Sequence, residues 1–278
     1  MFRSIDSHVH IWDRSRNEIF IAENQHPSLK GKSFLPSDLK EILKDTLCKQ
    51  AVLVHGPATL DHTKFCIDLC NKHEFIKSVI GWVDLENDHC AEQYIELNSE
   101  NNFKGIRLTP LLSSNPEAYI TSTNAKALAN EIAKDGNILE ILLTTKLINN
   151  LIKLLEEVPN VKVVIAHFGL PESVGGDFGY WEDIIRRVSS FPNVYIKISG
   201  LSLQNNFQED LNKAMQYFNV IETTFGFDRM LYSGNWPVCT AFSTPKYWKE
   251  ILDNIFKIKQ IKDSNIDKIM NKNANLLY

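Results

Sequence analysis

Long apolar runs are missing from this 278-residue chain. Nowhere do 18 uncharged apolar residues follow one another, and MFRSIDSHVH enters a strand-like alternation without the apolar segment of a secretory leader. A membrane-spanning helix needs about 20 such residues, so no membrane partner is expected and the anticipated location is cytoplasmic. Gly-, Ser- or Pro-rich tracts that would mark a linker are also lacking, and one domain over residues 1–278 is expected. Positive charge is not in excess: 30 Lys and Arg stand scattered against 34 Asp and Glu. A nucleic-acid footprint would need a basic cluster, so the expected partner is a small molecule, with a homo-oligomer left open. The five cysteines, Cys48, Cys66, Cys70, Cys90 and Cys239, are odd in number and contain no CxxC, which suits reduced core thiols.

What the chain does contain begins at once. In Ile5-Asp6-Ser7-His8-Val9-His10-Ile11-Trp12-Asp13, alternation along an extended segment puts Asp6, His8, His10 and Trp12 on one face. Two imidazoles pointing the same way can bind one metal ion, provided other strands complete the set and leave a position open for water. An isolated HxH equally suits two satisfied, partly buried histidines.

Residues 13–35 read as a long polar loop, and long loops in compact domains are usually functional. Pro36-Ser37-Asp38-Leu39 then opens a helix, with Ser37 or Asp38 as cap. From there apolar runs at 51–57, 78–85, 103–110, 138–144, 161–169, 194–201 and 229–237 alternate with helical stretches at 60–74, 90–98, 124–134, 146–157, from about 181, 208–224, 245–260 and 264–277. Eight β-rich runs, most too continuously apolar to have a solvated face, predict a closed (β/α)8 barrel, whose typical length of about 250 residues fits. An open doubly wound sheet is the rival, but no GxGxxG turn follows the first strand. In a barrel the C-terminal strand ends converge on one mouth, so His8, His10, His55, Arg107, Thr144, His167, Lys197 with Ser199, and Asn235 should all approach it.

These segments resemble the amidohydrolase superfamily, and within it the branch of sugar-acid lactonases. The resemblance rests on the opening IDxHxHxW pattern (Ile5 to Asp13), Lys104-Gly105-Ile106-Arg107, His167-Phe168-Gly169-Leu170-Pro171, Val194 to Leu201, and Arg229 to Pro237. It implies a (β/α)8 barrel hydrolysing an ester, amide or lactone bond at its mouth. Two positions depart from the pattern. Arg107 stands where binuclear members carry a bridging modified lysine, which argues against a two-metal centre. Asn235 stands where the family carries the aspartate that takes a proton from water, and an amide is no base near neutral pH.

The resemblance implies the following assignments. His167 is the candidate base in place of Asn235, or one divalent ion, zinc first, is held by His8, His10 and His167, with a metal-independent mechanism as the alternative. Arg107 and Lys197 would meet the oxyanion and the ring-opened carboxylate, unless they pair structurally with Glu140. His55, Trp12 and Trp236 are candidates for binding substrate, with loop packing or core plugging as their other roles. The expected activity is a lactonase-type hydrolase. A metal-dependent decarboxylase of the same superfamily, or a barrel weakened by Asn235 into a binding protein, are the alternatives.

Overall fold

The computed structural model describes residues 4–16, 26–175 and 177–278. Eight strands form one parallel sheet in chain order: β1 (Ser4–Val9), β2 (Cys48–Val54), β3 (Ile76–Gly81), β4 (Phe103–Leu108), β5 (Ile138–Ile141), β6 (Lys162–Ile165), β7 (Val194–Ile198) and β8 (Met230–Tyr232). The chain past β8 returns to β1. Val9 bridges Trp236, His10 N–H donates to the Trp236 carbonyl at 2.7 Å, and Asn235 N–H donates to the His8 carbonyl at 2.9 Å. Closing the sheet in this way removes the edges on which another chain could pair.

Parallel neighbours need crossovers, and helices supply them: α1 (Pro36–Asp45), α2 (Leu60–Lys72), α3 (Cys90–Asn98), α4 (Pro116–Thr121), α5 (Thr123–Lys134), α6 (Ile148–Glu157), α7 (Phe178–Ser189), α8 (Phe207–Phe225) and α9 (Pro245–Ile258). The last helical stretch is α10 (Asp263–Asp267), a π-helical turn (Lys268–Lys272) and α11 (Asn273–Leu277). None of these helices is long and apolar enough to cross a membrane.

Strand parity divides the core in two. Outward residues such as Leu53, Val79, Ile106, Leu139, Val163 and Ile196 pack beneath the helices in the large cluster. Inward residues Val52, Val54, Ile80, Ile138, Val164 and Leu231 fill the barrel, joined by Ala274, Leu277 and Tyr278 from the final helix. The barrel interior is therefore a packed core, as a closed barrel of this size requires.

Element order matches the alternation in the sequence, but the strands end earlier than the apolar runs do. The run at 161–169 yields a strand only to Ile165, because His167, Phe168, Gly169 and Leu170 all take positive φ and wind one left-handed turn. The run at 229–237 contributes only Met230–Tyr232, the chain bending at Asn235 with φ 57°. Helix α1 is capped otherwise than expected: Leu35 occupies the cap position, and Asp38 reaches back to accept its N–H at 2.8 Å. The expected loop at 13–35 lies partly outside the described residues.

Candidate active site

The C-terminal strand ends surround a cavity of about 710 Å3 whose floor holds His10, His55, Arg107, His167 and Asn235. Each arrives from a different strand, so no local segment makes the site.

His8 and His10 lie one pleat apart at the end of β1, with their Nε2 atoms 3.1 Å from each other. The Val54 carbonyl lies 2.9 Å from His10 Nδ1 and can only accept, which puts the ring proton on Nδ1 and leaves the Nε2 lone pair facing His8. Behind His8, Nδ1 sits 3.1 Å from Glu140 Oε1 and 3.3 Å from Lys197 Nζ. Each of the two tautomers satisfies part of this set. With its proton on Nε2, His8 donates to His10 and accepts from Lys197. With the proton on Nδ1, it faces the carboxylate and both Nε2 lone pairs converge, the arrangement of two metal-ligating imidazoles with a carboxylate behind one of them. His8 and His10 are held well below the usual histidine range, by burial first and then by the cationic side chains near them.

His167 lies against His8 with ring centroids 4.5 Å apart and the planes tilted by 55°, but its Nδ1 is engaged by Ser199 Oγ at 2.8 Å, and Ser233 Oγ donates to Ser199 at 2.7 Å. In that chain the Ser199 proton goes to Nδ1 and the His167 ring proton sits on Nε2, making His167 a donor. Burial, then Arg107 and Lys197, push its pKa down to about 3. A neutral His167 with its pKa lowered in this way is a weaker base than the sequence reading expects. Among the described residues no group of three His, Cys, Asp or Glu side chains is arranged to hold a metal ion. His8 and His10 bring two imidazole nitrogens together, and Asn235 Oδ1, on a residue that lines the same cavity, is buried without a hydrogen-bond partner.

Arg107 enters from β4 and is pinned by His55: Nε donates to His55 Nε2 at 3.1 Å and Nη2 to the His55 carbonyl at 2.6 Å. His55 Nδ1 in turn faces the Pro57 carbonyl at 3.3 Å, which fixes the accepting tautomer at Nε2. Burial lowers the Arg107 pKa to about 10 against the pull of Glu140, so the guanidinium stays charged at neutral pH. His55 is thus the residue that orients Arg107.

Three expected substrate contacts are not at the cavity wall. Lys197 is fully buried behind His8 and donates to Glu140 Oε2 at 2.5 Å, a pair spanning the barrel from β7 to β5. Trp12 packs with Leu29, Phe34 and Val238, and its Nε1 donates to the Lys32 carbonyl. Trp236 is 3% exposed and packs edge-on against Phe34. All three hold the frame of the mouth. Thr144 also stands off the floor, leading into the turn before α6.

Two glycines escape a reading by residue type, and one aspartate ties Gly234 to the frame. Asp6 Oδ1 accepts the N–H of Gly234 at 2.8 Å and of His8 at 3.1 Å, tying β8 to β1 beneath the site. A Cβ at Gly234 would meet Asp6 Oδ2 at 2.4 Å, and one at Gly200, where φ is +77°, would meet the His167 Cβ at 2.6 Å. The Ser199-Gly200 pair following β7 was the only available signal for the second.

The chain matches the sequence model of the amidohydrolase family over residues 5–278. It is 25% identical to an L-fucono-1,5-lactonase of Burkholderia ambifaria over 84% of this chain and 80% of that protein. An amidohydrolase from Burkholderia multivorans solved with bound zinc superposes with a TM-score of 0.85 at 19% identity, over 99% of this chain and 98% of that one. A 5-carboxyvanillate decarboxylase from Sphingomonas paucimobilis superposes at 0.68 with 12% identity, covering 100% and 99%. The structural likenesses show a shared barrel.

Proposed function

The chain belongs to the amidohydrolase family, and from that premise we propose that it hydrolyses the ester bond of a small lactone, of the sugar-acid class that the name of its lactonase relative supports. The observation that carries this is the cavity floor: a fixed guanidinium, a neutral imidazole donor and an unpartnered amide oxygen face one space.

In the reaction a water oxygen adds to the lactone carbonyl, the ring C–O bond breaks, the ring oxygen takes a proton and the acid loses one. Arg107 supplies a positive charge for the carbonyl oxygen as it becomes an oxyanion, and later for the product carboxylate. His167 Nε2–H is a second donor for the same oxygen or for the leaving alkoxide. Asn235 Oδ1 accepts a hydrogen bond from water and orients it without taking its proton. Lys197 and Glu140 keep His8 in place from behind.

His8 and His10 are the residues that would hold one divalent ion, with zinc the first candidate. Such an ion supplies Lewis acidity, the property that lets a site without a strong base use water near neutral pH. The decarboxylase alternative has weaker support, since that likeness is one of fold at 12% identity.

The test is elemental analysis of the purified protein beside a pH-indicator screen of aldonolactones and carboxylated lactones. Acid release from a lactone supports the proposal. A panel left intact by protein carrying a stoichiometric metal, with carbon dioxide released from an aromatic acid, would replace it by decarboxylation. A panel left intact with lactones still binding would favour a binding protein.

A further inference from the structure

Once the carbonyl of a lactone lies between Arg107 and His167 on the floor, the other ring carbons must rise along the walls. One wall carries polar groups that the hydrolysis does not use. Past the left-handed turn from His167 to Leu170, Glu172 lines the cavity, and past Gly200 so does Ser202. The two are clasped together. Ser202 N–H donates to Glu172 Oε1 and Oε2 at 3.2 and 3.3 Å, and Ser202 Oγ donates to Oε2. Lys213 of α8, which does not line the cavity, donates to Oε1 and, at 2.8 Å, to the Ser202 carbonyl.

A carboxylate offers about four lone-pair positions, so these donors leave room on Glu172 for another. Ser202 Oγ, its proton given to Glu172, also keeps lone pairs that accept. Because Lys213 compensates the charge, the carboxylate can stand in a cavity wall without the cost of an unpaired anion. Its side chain is 34% exposed and can be reached. The loop after β8 adds a third group. Asn205 Nδ2 donates to the Phe242 carbonyl at 2.9 Å, which draws that loop against the β7 side, and the Oγ of the next residue, Ser243, is buried without a partner on a residue that lines the cavity. Native structures leave few buried polar atoms unpaired, so such an atom at a cavity wall points to a ligand group.

We propose that Glu172, Ser202 and Ser243 are the hydrogen-bond partners of the substrate's ring hydroxyls, so that this wall makes the enzyme select a hydroxylated lactone over a bare one. The proposal rests on the lactone-hydrolase reading and adds specificity residues to it. Water replaces a missing hydroxyl at a half-exposed group, so a bond to the carboxylate contributes about ten- to a hundredfold, less than the roughly ten-thousandfold of a sealed polar pocket.

The test measures kcat/KM on δ-valerolactone and on the D and L 1,5-lactones of gluconic, galactonic and mannonic acids, each corrected for its spontaneous rate of hydrolysis. The fastest hydroxylated lactone should exceed δ-valerolactone by about tenfold or more. Glu172→Gln should cut that ratio by about tenfold or more, through KM more than kcat. Ser243→Ala should cut it by about three- to tenfold. Its Oγ has no partner in the protein to lose, so this variant carries the test if Glu172→Gln fails to fold. A wild-type ratio below one, or a ratio unchanged in either folded variant, overturns the proposal and leaves lactone hydrolysis standing. If no lactone is hydrolysed, the functional reading fails, and calorimetry with the unreactive 1,5-lactams of the same acids against 2-piperidone decides the wall. Tighter binding of a hydroxylated lactam that both variants weaken upholds its role, and binding indifferent to either variant overturns it.

Discussion

Asn235 sits at φ 57°, a conformation asparagine and aspartate tolerate better than most residues. Asn235→Asp therefore fits the same backbone and places a carboxylate beside the paired imidazoles. Turnover on a responsive lactone should rise tenfold or more, and zinc content with it, because a base and an anionic neighbour are added together. Unchanged turnover and metal content in the variant would mean that the amide is adapted to its own mechanism. Arg107→Met removes the fixed charge at similar bulk, so kcat/KM should fall by about a hundred- to a thousandfold. A lowered melting temperature with kcat/KM intact would instead make Arg107 structural. The histidines, Arg107 and Asn235 were legible from their order and their strand-end positions. The engagement of His167 by Ser199 was not, since a hydroxyl's partner depends on angles between β6 and β7 that spacing does not encode. Lys197 was misplaced for a related reason: its parity gives the inward direction correctly, but depth along the barrel comes from the sheet's stagger.

Among the elements, the end of β7 constrains the end of β6. Gly200→Ala inserts a Cβ within 2.6 Å of His167 and also strains a positive φ. Gly226→Ala, at φ +62° with open space around it, separates the two effects. The Gly226 variant, at φ 62° and ψ 175° where essentially only glycine sits, should lose about 1–3 kcal/mol of stability from backbone strain alone and keep its kcat. The Gly200 variant should lose more stability and at least tenfold in kcat, as measured by denaturant melts and initial rates. Equal behaviour of the two would show that His167 tolerates displacement. Element order was legible because a buried parallel strand must be continuously apolar, whereas strand ends were not, because the same apolar residues continue into the loops that line the mouth.

For the molecule as a whole, four histidines buried in the neutral state set the acid limb of stability. His167 ionises at about 3 in the fold against about 6.5 in the unfolded chain, so between those values the unfolded chain binds more protons. Stability is then full above 6.5 and falls with pH, by about 1.4 kcal/mol per unit for each such histidine. His8, His10 and His55 shift in the same direction. Asp6 opposes them: burial raises its carboxyl to about 7 from 3.8, so its contribution is full below 3.8 and is lost as pH rises through 7. One carboxyl against four imidazoles leaves a net loss on acidification. Melting of chelator-treated protein should therefore drop steeply from pH 6.5 to 4, with net proton uptake on unfolding. A flat profile would mean that the buried imidazoles carry charge in the fold.

The joining of β1 to β8 has a meaning in time as well as in space. Asp6 waits for the amide of a residue 228 positions later, and His8 waits nearly as long for Lys197. At about 5–20 residues per second on a ribosome, the first strand spends roughly ten seconds or more with one side unpaired. During that interval β1 is an exposed edge carrying His8 and leading into His10, which will line the floor of the mouth. Production of this protein should accordingly respond to growth temperature and to holding chaperones more than its finished stability would suggest, because the unprotected species is the nascent chain.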